Sequence, residues 1–218
     1  MAVLIIVCNF VLFGDFPASA AAQLGAQTSG ELFERSFAGG DFMTNRDATK
    51  YEQPENGLYR ITPRAKNISL WTRFALPDEV SRYKDWTVTA SVNSAEGTGA
   101  GAAIIYGDNS YVLLIFPDGR GSLKYYEGKK ETWKADFSVR NFAFPVRLSI
   151  SRDANGSVIG SVNGIFATSL ISEPDLKKTG LPAVTGAAFF TQSPGNTSGS
   201  GALYERLDVT ARGSSQLF

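Results

Sequence analysis

The chain has 218 residues, 43% hydrophobic and 19% charged, an ordinary globular composition with enough apolar residue to bury a core without staples. Its 21 lysines and arginines balance 21 acids, so there is no global field to draw nucleic acid or an anionic membrane. Histidine is absent, which excludes Ser-His-Asp and Cys-His catalysis and removes the commonest zinc ligand.

The first residues differ from the rest. Val3 to Phe13 is almost unbroken apolar sequence, and Ala18-Ser19-Ala20-Ala21-Ala22 follows. An apolar run ahead of small residues in A-x-A spacing is the pattern of a secretory signal. The run is too short for a span of ~20 residues, and no later segment reaches that length. The expected organisation is a signal peptide over 1–22, a linker over 23–29, one domain over 30–212 and a tail over 213–218, in a secreted or periplasmic protein. Cys8, the single cysteine, leaves with the signal.

Beyond the linker the chain speaks in short strands. Glu31–Phe37 is the first, Gly57–Thr62 the second after a polar loop with Pro54 and Asn56, and Ile68–Leu76 the third. Trp86 to Asn93 alternates, with Trp86, Val88, Ala90 and Val92 on one face, as expected of a half-buried strand. From Gly99 to Gly164, apolar runs are separated by Gly-Asp-Asn, Pro-Asp-Gly, Asp-Ala-Asn-Gly and Asn-Gly, the signals of consecutive hairpins, with a Trp-containing connector midway. The strand after Pro145 places Val146, Leu148 and Ile150 inward. Val158–Val162, Ala183–Thr191 and Leu203–Ala211 complete the series, and only Glu173–Lys178 suggests a helical turn. This predicts an all-β fold, a two-sheet antiparallel β-sandwich of jelly-roll type.

Three segments resemble the concanavalin A-like lectin/glucanase superfamily, nearest to its laminin G-like and 3-keto-disaccharide hydrolase-type jelly rolls. Gly99–Phe116 looks like a small-residue strand, an Asp/Asn turn and a Tyr-led apolar strand. Asp153–Gly164 looks like a hairpin ending in Val-Asn-Gly, and Gly186–Val209 like the closing strand pair. The similarity spans roughly residues 30–211 and implies a glycan-binding module, an adhesion domain or a glycoside hydrolase; the fold alone does not choose among them.

The residues favour binding over catalysis. A retaining glycosidase needs two carboxyls facing each other ~5–5.5 Å apart, and no strand carries acids at alternate positions. Glu205, Asp208 and Asp136 are the first suspects for a carboxylate pair built from separate strands. In Leu203–Val209, Glu205 falls on the face of the apolar residues unless a β-bulge intervenes, while spacing puts Asp208 on the opposite face. Asp108 and Asp153 carry oxygen ligands of the type Ca²⁺ uses, but turn formation accounts for both; the expectation is no cofactor, with Ca²⁺ at these positions as the alternative. Tyr111–Phe116 is apolar on both faces and is the expected floor of any groove. Around it cluster Tyr106, Tyr111, Tyr125, Tyr126 and Trp133, candidates for stacking on sugar rings, with Lys124, Arg147 and Asn163 for their hydroxyls. The expected function is a secreted, non-catalytic protein that binds a glycan or the cell envelope. A carboxylate-dependent glycoside hydrolase and a structural adhesion domain that binds protein are the alternatives.

Overall fold

The computed structural model describes residues 30–36, 45–46, 50–77, 85–152, 157–170, 184–194 and 201–212. The expected signal, linker, tail and helical turn lie outside them, as do Asp153 and most of the Ser193–Gly201 loop. The described residues contain no helix and fold into two antiparallel sheets.

The first sheet runs in the order β13 (Ile165–Leu170), β12 (Val158–Val162), β11 (Val146–Arg152), β6 (Asp85–Glu96), β15 (Gly201–Arg212), β4 (Leu58–Pro63), β3 (Lys50–Glu55) and β2 (Asn45–Arg46). A ninth strand, β1 (Gly30–Ser36), also pairs with β15. The second sheet has six strands: β10 (Lys130–Ser138), β9 (Arg120–Glu127), β8 (Asn109–Ile115), β7 (Gly99–Tyr106), β14 (Gly186–Gln192) and β5 (Ser69–Ala75).

The alternation along β6 and β11 works as expected. Trp86, Val88, Ala90 and Val92 are buried with Val146, Leu148 and Ile150. On the outward side, Thr87 meets Ser151 and Thr89 meets Ser149, each pair of hydroxyls 2.9 Å apart. From the six-stranded sheet, Tyr106, Tyr111, Leu113, Leu123 and Phe189 complete the inter-sheet core. Burying these apolar faces against each other is the main driving force for the sandwich.

Two segments expected as loop or connector are strands. Lys50–Glu55 is polar, yet Glu52 is 2% exposed. It pairs with Lys50 at 2.9 Å and accepts a bond from the Thr72 hydroxyl of the other sheet. These partners make its burial tolerable. Burial, with the charge of Glu52, pushes the neighbouring Tyr59 phenol up to about 12. Among the described residues β2 pairs only with Tyr51 and Glu52, so Pro54 has no described ladder partner on that side, a position proline tolerates. The Trp-containing connector is β10, an edge strand exposed along most of its length, which is why its composition resembles a loop.

The bulge in β15 is present. Tyr204 pairs with Val92 and Arg206 with Ser91, so Glu205 is the extra residue. Tyr204 turns inward, Glu205 is exposed, and the inward phase resumes at Leu207 and Val209. The face assignment from spacing is therefore corrected: with one residue looped out, Glu205 and Asp208 both point to the outer face.

Tyr204 ties the sheets together. Its ring stacks on Phe189 at 4.2 Å. Its hydroxyl donates to Phe190 O at 2.7 Å, accepts from Gly101 N at 3.2 Å, and lies 2.9 Å from Thr191 Oγ1. Phe190 and Gly101 face each other across β14 and β7, so the phenol inserts between two strands of the opposite sheet. Tyr204→Phe leaves these buried groups short of a partner. The expected cost is about 2 kcal/mol, seen as a fall of about 4–8 °C in the thermal midpoint.

Candidate functional site

The outer face of the six-stranded sheet is curled. Trp71 on β5 and Tyr126 on β9 are four strand positions apart, ~19 Å on a flat sheet. Their ring centroids are 5.7 Å apart. Side chains alone do not close that gap, so the sheet bends around this face and makes it concave. Phe190 fills the space between them, 4.8 Å from Trp71 and 6.4 Å from Tyr126. Small residues permit this: Ala103 and Ala188 are fully buried beneath the rings, and Gly101 pairs with Phe190 and Leu114 in the same floor. Val112 and Leu114 complete the floor, which accounts for a β8 strand apolar on both faces.

Polar groups rise from this apolar bed. Cross-strand partners point the same way, so Lys124 shares the concave face with its partner Val112. Lys124 is 6% exposed. Its Nζ lies 2.9 Å from Glu131 Oε2 and 3.3 Å from Gln192 Oε1, which spans the concavity from β9 to β14. Removing Glu131 would leave a nearly buried ammonium without its counter-ion. Tyr126 OH donates to Glu131 Oε2 at 3.3 Å. Burial, followed by the charge of Glu131, pushes the Tyr126 phenol well above its ordinary range. Trp71 is half-buried, and the exposed Arg73 lies over it, 5.6 Å from guanidinium to ring centroid. The result is a half-exposed indole beside a carboxylate, an amide, an ammonium and a phenol.

The residues singled out from sequence scatter over the molecule. Tyr106, Tyr111 and Tyr125 are 2–3% exposed and pack on one another in the inter-sheet core, with centroids 5.0–6.4 Å apart. They cannot stack on a ligand from there, because their parity along β7, β8 and β9 turns them inward. Trp133 pairs with Tyr125 after a one-residue bulge, so it points to the inter-sheet side at an open edge, 42% exposed. Of the rings and their hydroxyl partners, only Lys124 and Tyr126 stand on the concave face. Asp136 is exposed and paired with Lys134 at 2.8 Å.

Arg147 and Glu205 lie on the opposite side of the sandwich. They line a pocket of about 230 Å³ with Ser91, Pro145 and Asn163. Asn163 sits at φ 52 and accepts from Arg147 N at 2.8 Å. Asp208 is held by Arg206 on the same face and is 7% exposed. Asp108 is exposed in the β7–β8 turn, and the described residues contain no cluster of acids, cysteines or histidines able to hold a metal. Trp71, Glu131 and Gln192 carry no signal of the concave site in the sequence, because they reach Lys124 and Tyr126 only through the sheet order.

No family model matches the chain, and no curated protein matches it by sequence. Solved structures do match. A Bacillus subtilis protein of unknown function with a galectin-like fold superposes with a TM-score of 0.58 at 12% identity, covering 84% of this chain and 97% of that one. The endo-β-1,3-glucanase of Pyrococcus furiosus gives 0.55 at 9%, covering 85% and 95%. The Emp47p carbohydrate recognition domain gives 0.51 at 11%, covering 85% and 98%. The fold is thus the concanavalin A-like jelly-roll sandwich.

Proposed function

We propose that this chain is an exported, non-catalytic carbohydrate-binding protein whose saccharide lies on the concave face. The convergence of Trp71, Tyr126, Lys124, Glu131 and Gln192 on that face carries the reading. A pyranose has an apolar C–H face suited to the indole and a rim of hydroxyls suited to planar amide and carboxylate groups. The floor is fixed by packing, so the site is largely preformed. Solved structures of the same fold that include a carbohydrate recognition domain support the reading. Catalysis is disfavoured by the carboxylates themselves: on this face Glu131 is engaged by Lys124 and Asp136 by Lys134. Export rests on the apolar run at Val3–Phe13 and the alanines at 18–22.

The three tryptophans make the test direct. Trp71 lies on the concave face, Trp86 in the core and Trp133 at an open edge. Soluble oligosaccharides chosen from a glycan array should shift the indole N–H resonance of Trp71 and leave those of Trp86 and Trp133 in place. Absence of a shift with every array hit, or shifts confined to Trp133, would reject this site.

A further inference from the structure

Antiparallel partners share a face, so the register places the charges of the concave side. Arg73 on β5 pairs with Ala188, which lies beneath the rings. On β10, Glu131 pairs with Tyr126, Lys134 with Lys124 and Asp136 with Ser122. These carboxylates are already taken, Glu131 by Lys124 at 2.9 Å and Asp136 by Lys134 at 2.8 Å. Arg120, at the end of β9, is held by Asp118 at 2.6 Å. Arg73 is left over. Among the described residues it has no carboxylate partner, and its exposed guanidinium lies over the Trp71 ring, 5.6 Å from the centroid.

The position of that charge points to a chemistry. A pyranose stacked on Trp71 takes the ring face from the guanidinium, and Arg73 then stands at the rim of the sugar. The C6 substituent of a pyranose projects from that rim. A carboxylate there is planar and meets the planar guanidinium fork with two parallel N–H···O bonds. A C6 hydroxyl offers only a single neutral oxygen to the same fork. The lysines of this face are neutralised by their neighbours, so the uncompensated positive charge sits beside the indole, where it favours an anionic sugar over a neutral one.

We propose that the ligand contains a uronic acid, its ring on Trp71 and its C6 carboxylate held by Arg73. This rests on the saccharide site described above and adds the class of sugar. A carboxylate, rather than a sulfate ester, is the anion whose plane matches the fork.

The experiment is titration calorimetry with short oligomers of galacturonate, glucuronate and mannuronate. Each is set beside its carboxyl-reduced counterpart, which keeps the linkage and loses only the charge, and beside the 6-O-sulfated form of that counterpart. At least one uronate oligomer should bind about fivefold or more tighter than its reduced form, and tighter than the sulfated one. The ratio should fall toward one as salt is raised. Arg73→Gln should bring it to about one in low salt, and Arg73→Lys, which keeps the charge without the fork, should leave an intermediate value. Arg73 is exposed, so both variants should fold, and circular dichroism checks this. Equal affinity for acidic and neutral oligomers, a sulfated form that binds as tightly as the uronate, or a preference that survives Arg73→Gln would overturn the uronate assignment while the saccharide site stands. A Trp71 indole resonance that no oligomer shifts, acidic or neutral, would remove the site and this proposal together.

Discussion

Trp71→Ala is expected to weaken saccharide binding by about thirtyfold, the loss typical when a tryptophan anchor is truncated. The size follows from its place. Trp71 is half-buried, so it presents area to a ligand while Phe190 and Tyr126 hold it edge-on at 4.8 and 5.7 Å. A ring fixed in this way loses little side-chain entropy on binding. The Arg73 guanidinium above it is exposed, and a contact of that kind contributes only ~0.5–1 kcal/mol, so it yields to a sugar. Trp71→Phe should retain part of the affinity, and Arg147→Ala, on the opposite face, should retain all of it. Titration calorimetry with one array-selected oligosaccharide separates these outcomes. Equal affinity for wild type and Trp71→Ala would move the binding face elsewhere.

Gly101→Val is expected to prevent stable folding, with a cost above about 4 kcal/mol, in the range reserved for severe packing faults. A Cβ at Gly101 would lie 2.3 Å from the Leu113 carbonyl oxygen and 3.3 Å from the Leu114 Cα. These are backbone atoms of β8 and cannot rotate away, so β7 and β8 must separate. Separation would disturb the Tyr204 phenol bonded to Gly101 N and lift Phe190 beneath Trp71. Even Gly101→Ala meets the same oxygen. Valine should give insoluble protein or a midpoint lowered by more than about 10 °C. As a comparison, Gly128→Ala has open space around its Cβ but sits at φ 60, so only the modest penalty of a left-handed turn residue is expected there.

Strand alternation was legible wherever one face is buried and the other wet. Trp86–Val92 and Val146–Ile150 took up the expected faces because period-two hydrophobicity is itself the record of that burial. The same logic failed where burial depends on a distant partner. Glu52 is interior because Lys50 and Thr72 engage it, and local polarity carries no trace of this. It failed again at β10, where exposure on most positions removes the alternation altogether. At Glu205 the broken pattern was visible, and the bulge that explains it became definite only through pairing with Val92 and Ser91.

The site was less legible than the fold. Clustering in sequence brings forward Tyr106, Tyr111, Tyr125 and Tyr126 together, yet adjacent positions on a strand face opposite ways. Tyr125 entered the core, while Tyr126 joined Trp71 and Phe190 outside it. Lys124 lies on the concave face, but its partners come from strands distant in the chain.

The sequence by itself determined the all-β class, the hairpin turns and the inward faces of the central strands, because each depends on residues a few positions apart. It also determined the absence of histidine chemistry. The tertiary structure alone decided which aromatics face a ligand, because that depends on the order β10-β9-β8-β7-β14-β5 and on the curl of that sheet. Curl brings Trp71 and Tyr126, separated by more than fifty residues, into ring contact. Register and curvature are properties of the assembled sheet, set by packing of the whole core, and no short window of sequence contains them.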